Sequence, residues 1–123
     1  MNLNAFKHIS VQRTDRSVHG VRINPDHINH IVPSKADQVG RSILTMADGL
    51  AGLSRIAPTE DLSTLAQLFS TLTPVQVFDT PSGKATTGGL VNMARVALIE
   101  EKASFATLVF VDGTDLNIAK AWS

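Results

Sequence analysis

The sequence contains no cysteine and no tyrosine, and its 123 residues include a single tryptophan. Without cysteine the chain forms no disulfide bonds or thiolate metal sites and has no thiolate nucleophile. Phe6 is the only aromatic residue in the strands predicted for the first half, so we do not expect a stacking platform for single-stranded nucleic acid. We expect the tryptophan, Trp122, to act as an anchor in the chain's own core or against a partner.

The chain also lacks an excess of charge of either sign, since 11 basic residues balance 11 acidic ones. Dedicated nucleic-acid binders usually carry a basic excess, and proteins that mimic DNA are strongly acidic. The start of the chain does not follow the plan of a signal peptide, and no apolar run approaches the roughly 18 residues of a membrane span. We therefore expect a cytoplasmic protein without a membrane partner, or a virion protein if a phage encodes it.

The sequence does contain an internal echo. Residues 20–31 resemble residues 89–99, and residues 42–49 resemble residues 106–113. Asn24 corresponds to Asn92 in these segments, and the pair Asp48-Gly49 corresponds to Asp112-Gly113. We interpret the chain as two tandem antiparallel β units, at 1–73 and 74–123, which share a core or form one compact domain.

The predicted fold class is mainly β with a single helix. Ile9 and Val11 alternate with polar residues, which is typical of a strand with one solvated face and predicts a strand at 6–14. Asn24-Pro25-Asp26 interrupts the next strand and predicts a 3₁₀ turn. The other predicted strands are 21–23, 27–32, 42–47, 50–56, 75–78, 95–99, 105–111 and 116–121, with loops at 33–40 and 81–89 and hairpin turns at the two Asp-Gly pairs.

The helix is predicted at about 59–71, with Thr59 as its N-cap and an apolar stripe at helical spacing. The second unit has no counterpart, so we expect either that this helix serves both units or that a neighbouring subunit supplies what is missing. The strand at 105–111 is apolar on both faces, so we expect both faces to be buried, either against the other unit or against another subunit. The interface residues predicted from these two features and the terminal tryptophan are Leu65, Phe69, Val109, Val111 and Trp122.

Four histidines, His8, His19, His27 and His30, all lie in the first unit. His27 and His30 would share a face on a helical turn but would point to opposite faces of a strand. The second unit has no histidine at the matching positions, and no motif provides a third ligand. We expect solvated histidines and no bound metal, with His27 and His30 as weak candidates.

No motif indicates catalysis or a bound cofactor. Pro81-Ser82-Gly83-Lys84 lacks the upstream glycine, the following hydroxyl residue and the helix of a phosphate-binding loop, and the chain has no Gly-x-Ser-x-Gly elbow. Basic residues are more frequent in the first unit. The possible nucleic-acid contacts are Arg13, Arg16, Arg22, Lys35 and Arg41.

The corner at 21–28, followed by a strand and the pair Asp48-Gly49, resembles the FlbD-like small β domains, which are known from flagellar operons and from bacterial and phage genomes. The resemblance covers about 6–72 and, more faintly, 75–122, where Met93 and Ala94 replace Pro25 and Asp26. It implies a small antiparallel sheet and no catalytic residues.

We expect a non-enzymatic, oligomerising structural or interaction module, such as a phage or prophage virion or accessory component. Its partner would be a second copy of itself or a larger protein assembly. Two alternatives stay open at this point, a nucleic-acid-associated regulator and a small metal-dependent enzyme at His27 and His30.

Overall fold

A computed structural model describes residues 6–34, 40–46 and 55–120 of the chain and confirms a mainly β fold with antiparallel sheets and one helix. We refer to residues 6–72 as the N-terminal half and to residues 73–120 as the C-terminal half. The elements of the N-terminal half are β1 (Lys7–Gln12), β2 (Val18–Ile23), a 3₁₀ turn (Pro25–His27), β3 (Ile28–Pro33), β4 (Ser42–Met46), β5 (Arg55–Ile56) and α1 (Leu62–Leu68). Those of the C-terminal half are β6 (Thr73–Asp79), β7 (Lys84–Val91), a 3₁₀ turn (Met93–Arg95), β8 (Val96–Glu101), β9 (Ala106–Phe110) and β10 (Asp115–Ile118).

The described strands form one long antiparallel arrangement with contributions from both halves. Eight strands pair in the order β5-β4-β3-β7-β6-β10-β9-β8, and β1 pairs with β2 in a separate hairpin. Backbone bonds from Gln12 N to Ala57 O and from Thr59 N to Ser10 O, both 2.8 Å long, join β1 to the segment after β5. The arrangement therefore ends in β2 on one side and in β8 on the other.

Both halves turn the same corner between their second and third strands. The side-chain oxygen of Asn24 accepts a hydrogen bond from Asp26 N at 3.1 Å, and that of Asn92 accepts one from Ala94 N at 3.2 Å. Each asparagine thus satisfies a backbone donor at the start of a 3₁₀ turn. The 3₁₀ turn predicted after Asn24 is confirmed, and the turn after Asn92 shows that the corner forms without a proline.

The helix is shorter than the predicted range of 59–71, and its N-cap is Asp61 rather than Thr59. The carboxylate of Asp61 accepts a hydrogen bond from Thr64 N at 2.9 Å, and this bond lowers the pKa of Asp61 below its ordinary value. Thr59 instead bonds to β1 through its backbone, and the neighbouring Glu60 accepts a bond from Ser10 N. Tertiary pairing with β1 therefore keeps these residues out of the helix.

Other predicted boundaries also change. The turn of the hairpin that joins β6 to β7 ends at Gly83, whose φ of 70° suits glycine, and residues 86–89 belong to β7 instead of a loop. Arg95 closes a 3₁₀ turn instead of opening a strand. The predicted Asp48-Gly49 turn, most of the 33–40 loop and residues 50–54 of the predicted 50–56 strand lie outside the described residues.

Two hydrophobic clusters fill the interior, and one residue of the C-terminal half packs in the cluster of the N-terminal half. The first cluster packs α1 against strands of the N-terminal half, and Leu90 of β7 joins it. The second cluster lies in the C-terminal half. Its buried members are Val91, Ala106, Leu108, Phe110 and Ile118. Neighbouring residues of β7 therefore enter different cores, which ties the two halves together at this strand.

Candidate assembly edges

The junction between the halves is the pairing of β3 with β7. Ile31 lies opposite Leu90, and His30 lies opposite Val91. The ladder continues into the second corner, where Asn92 N donates to the carbonyl oxygen of Asn29 at 2.9 Å. The edge of β3 that faces away from β4 is thus covered by another strand of the same chain.

A β-bulge in β3 brings Asn29 into this junction. The register against β4 shifts between Ile28 and His30, so that Asn29 is the extra residue. Its side chain is fully buried, and its Nδ2 donates to Asp112 Oδ2 at 2.9 Å and to Thr114 Oγ1 at 3.0 Å. The Nε of Arg95 donates to Asn29 Oδ1 at 3.4 Å. These bonds satisfy a polar side chain whose burial would otherwise be costly.

Two further contacts show how closely the halves approach. Asn92 Nδ2 donates to the carbonyl oxygen of Pro25 at 3.3 Å, which links the two corners. A Cβ atom at Gly89 would lie 3.0 Å from Val77 Cγ2 and 3.1 Å from the carbonyl oxygen of Ile31. A side chain at position 89 would therefore require its neighbours to shift by a few tenths of an ångström.

Strand β8 holds the same place in the C-terminal half that β3 holds in the N-terminal half. It follows the second corner, and its register against β9 shifts between Val96 and Leu98, which makes Ala97 the extra residue. Within the described part of the chain, no strand covers the outer edge of β8. Leu98 and Ile99 of this strand are 52% and 43% exposed.

Strand β2 holds the place that β7 holds in the C-terminal half, because it leads into the first corner. Its inner edge pairs with β1, and among the described residues its outer edge has no strand partner. Arg22 is exposed on this strand, and Val18 is 59% exposed at its start. Exposed apolar side chains therefore lie on both terminal strands of the arrangement.

The direction of the backbone groups on these edges follows from the ladder bonds. Neighbouring residues of an antiparallel strand direct their N–H and C=O groups to opposite sides. Arg13 N bonds to Ser17 O, and Lys102 N bonds to Phe105 O, which fixes the alternation in each hairpin. Counting along the registers, the backbone groups of Arg22 point away from β1, and those of Ile99 point away from β9.

The interface residues predicted from the sequence lie in several different environments. Leu65 and Phe69 are buried in the chain's own first core, where they are not accessible to a second copy. On β9 and just after it, Val109 is half-buried and Val111 is 56% exposed. Trp122 lies outside the described residues.

Leu98, Ile99 and Val18 are candidates for contact that were not predicted from the sequence. Leu98 and Ile99 occupy the positions of His30 and Ile31 in the echo, and the strand that carries them ends in Glu100 and Glu101. An apolar pair at an otherwise charged strand end is the signal that could have indicated them.

The histidines do not gather around a common point. His8, His19 and His27 are exposed, and His19 Nε2 lies 2.9 Å from Ser17 Oγ. His30 is buried, with its ring centroid 5.4 Å from that of Phe110. Within 6–34, 40–46 and 55–120, no group of three or more histidine or acidic residues is placed to hold a metal ion.

The candidate nucleic-acid contacts are only partly brought together. Arg13 and Arg16 lie at the turn between β1 and β2, and Arg22 lies on β2. Arg41 is elsewhere, beside the start of α1, where its guanidinium is 4.0 Å from the Asp61 carboxylate. Lys35 lies outside the described residues.

A surface depression of about 240 Å³ lies beside the first corner. It is smaller than most small-molecule sites, which occupy roughly 300–1,000 Å³. It lies between the first corner, the start of β1 and the C-terminal end of α1. The residues that line it are Lys7, Asn24, Pro25, Asp26, Leu68, Phe69, Ser70 and Thr71.

Comparison of the chain with family models, with curated proteins and with solved structures gives no match. The resemblance to FlbD-like domains and the tandem repeat therefore stay predictions. Among the described residues, no helix has the length and apolar character needed to cross a membrane.

Proposed function

We propose that this chain is a non-enzymatic structural module that assembles with further copies of itself. The observation that carries the proposal is the exposure of apolar side chains on both terminal strands, with Val18 on β2 and Leu98 and Ile99 on β8. Exposed strand edges invite pairing with other chains, and many monomeric proteins block them with charges, prolines or covering segments. Edges that carry large apolar side chains instead favour association.

Strand β8 differs from the interior strands in the burial of its large apolar side chains. Those of β3 and β7 are buried or half-buried, whereas β8 exposes Leu98 and Ile99. Covering them removes apolar area from water at about 25 cal/mol per Å². Self-association therefore provides a favourable free energy that the isolated chain leaves unused. The phage or prophage setting, in a virion or as an accessory component, belongs to this proposal and rests on the family resemblance.

Light scattering coupled to size-exclusion chromatography tests the proposal, with loading concentrations from a few micromolar to about one millimolar. We expect a mass above 13.2 kDa that rises with concentration. We also expect the mass to be retained in high salt, because backbone hydrogen bonds and apolar side chains supply the attraction. A constant monomer mass over the whole range would contradict the proposed function.

A further inference from the structure

We propose that the copies associate head to tail, with β8 of one copy pairing antiparallel to β2 of the next and reproducing the β3–β7 junction. The inference rests on the proposed function and deepens it, because it names the partner surface. The occupant of the β8 edge is a second copy of this chain, and the two surfaces in contact are different.

The first support is that β8 and β3 each carry a β-bulge at the same place relative to the corner before the strand. The β3 bulge lies between Ile28 and His30, and the β8 bulge lies between Val96 and Leu98. The two bulges are therefore 68 residues apart in the sequence (96−28 and 98−30). The corner asparagines are separated by the same number, since 92−24 is also 68. The correspondence is one of geometry, in the placement of corner and bulge relative to each strand.

The register between copies follows when 68 is added to the residue numbers of β3 and subtracted from those of β7. The pair Ile31 and Leu90 becomes Ile99 of one copy opposite Arg22 of the next. The pair His30 and Val91 becomes Leu98 opposite Ile23.

The second support is that the backbone groups required by this register already point outward. Arg22 directs its N–H and C=O away from β1, and Ile99 directs its own away from β9, so the two residues can exchange both ladder bonds. Across the internal junction Asn92 N donates to Asn29 O. The corresponding bond between copies runs from Asn24 N to Ala97 O.

The third support is the position of exposed apolar groups. Leu98 and Ile99 lie within the new junction, and both are about half exposed in the single chain. The internal bond from Asn92 Nδ2 to Pro25 O corresponds to one from Asn24 Nδ2 to Met93 O. That bond brings Met93, which is 40% exposed, beside the depression that Asn24 lines.

Two residues make the new junction looser than the internal one. Val21 stands at the position of Gly89, where a Cβ atom would lie 3.1 Å from the facing carbonyl oxygen, so the strands must separate by a few tenths of an ångström. Ala97, in addition, has no side chain that could form the buried hydrogen bonds of Asn29. We therefore expect a reversible contact whose extent depends on concentration.

A head-to-tail contact is heterologous, because two different patches meet. Such contacts form closed rings when the rotation between copies closes and open filaments when it does not. An isologous dimer, in which β8 pairs with β8 of its partner, would use one patch twice and would stop at two copies.

Cysteine cross-linking distinguishes these arrangements, and the absence of native cysteine makes the result easy to interpret. We would prepare Arg22→Cys and Ile99→Cys as separate chains, one of them isotope-labelled. Both positions are exposed, so the substitutions are expected to leave the fold intact. Opposite residues in a hydrogen-bonded pair have Cα atoms about 5.5 Å apart, which a disulfide can span. Gln67→Cys, at an exposed helix position, serves as the control partner for each.

We expect mild oxidation of the mixture to give a covalent dimer with one labelled and one unlabelled chain, at a yield at least tenfold above that of either variant mixed with Gln67→Cys. A dimer of Ile99→Cys alone would overturn the head-to-tail arrangement in favour of the isologous dimer. A protein that is oligomeric by light scattering but shows no link between positions 22 and 99 would overturn the inference and leave the proposed function standing. A monomeric protein would overturn both.

Discussion

Strands β3 and β8 are built alike but have different surroundings. Each follows a corner capped by an asparagine and carries a bulge one residue after its start. The outer edge of β3 is covered by β7, and Ile31 is fully buried there, whereas Ile99 at the matching position of β8 is 43% exposed. Ile31 belongs to the first hydrophobic cluster, which packs α1 against the strands, whereas Ile99 joins neither cluster of the described residues. The comparison teaches that two strands built alike differ in exposure because of what packs around them.

The two bulges also differ in chemistry. Asn29 is buried and bonded to Asp112 and Thr114, which fixes the β3 bulge against the C-terminal half. Ala97 at the other bulge is exposed and offers only its backbone. The internal junction is therefore a specific and permanent contact, and the outer edge is suited to a contact that forms and dissociates.

The largest effect is expected from truncating the two isoleucines. Ile31→Ala removes a fully buried side chain at the internal junction and should lower the free energy of unfolding by about 2–5 kcal/mol. Ile99→Ala should change it by no more than about 0.5 kcal/mol in the monomer, because the side chain is exposed there. Urea denaturation at low protein concentration measures both values. Equal losses for the two variants would show that the two strand edges do not differ as described.

The second effect concerns the bulge residues. Asn29→Ala removes a fully buried side chain together with its bonds to Asp112 and Thr114 and should destabilise the chain by about 1–3 kcal/mol. Ala97→Asn, the reciprocal change, places a polar side chain in solvent and should leave the free energy of unfolding nearly unchanged. Urea denaturation of both variants checks the prediction, which a neutral Asn29→Ala variant would contradict.

The two adjacent glycines of β7 provide a smaller and more local comparison. Gly89→Ala places a Cβ atom against Ile31 O and Val77 and should cost about 1–3 kcal/mol. At Gly88 the nearest atom is Leu62 Cδ2 at 3.6 Å, an ordinary contact. Gly88→Ala should therefore be neutral or stabilise the strand by up to about 1 kcal/mol. Thermal unfolding of the pair decides this, and a Gly89→Ala variant as stable as Gly88→Ala would refute the close approach.

The smallest effect concerns α1, an element that has no counterpart among the described residues of the C-terminal half. Hydrogen bonds from Thr64 N and Ser63 Oγ lower the pKa of Asp61 in the folded protein. The Asp61 N-cap therefore contributes its full stabilisation above the pKa that this carboxyl has in the unfolded chain, near 3.9. The contribution is lost as the pH falls through the lower pKa of Asp61 in the folded protein. Asp61→Asn should reduce the decline of Tm between about pH 4 and pH 2. A decline identical to that of the unsubstituted chain would contradict this role.

The sequence predicts the strand content, the 3₁₀ corner after Asn24 and the presence of one helix because these features depend on local patterns. Period-two alternation gives β1, and the asparagine side chain determines the corner. The start of the helix is missed because Thr59 and Glu60 are held by β1, a contact between distant parts of the chain. The strand content of residues 86–89 is missed because Gly88 and Gly89 are typical of loops, and only the close approach of β3 explains a glycine at position 89.

The candidate edges could not be derived from the sequence, because an edge is defined by the order of strands in a sheet. The internal echo predicts two related units but does not predict that β3 pairs with β7 and leaves β8 outermost. Leu65 and Phe69 were predicted as interface residues because the second unit lacks a helix. In the structure, both side chains pack in the first core of the same chain.

Complementation between edge-blocked variants tests the head-to-tail contact most directly. Arg22→Pro and Ile99→Pro each remove an N–H that points away from the neighbouring strand, so no internal ladder bond is lost. Arg22→Thr and Ile99→Val retain the N–H, and Ile99→Val also retains an apolar side chain, so they serve as matched controls; circular dichroism verifies the fold of all four. In light scattering, we expect each proline variant alone to be monomeric, the two controls to associate, and an equimolar mixture of the two proline variants to form a dimer through the edge that each has kept. Folded proline variants that associate as well as the unsubstituted chain, or that stay monomeric when mixed, would contradict the account.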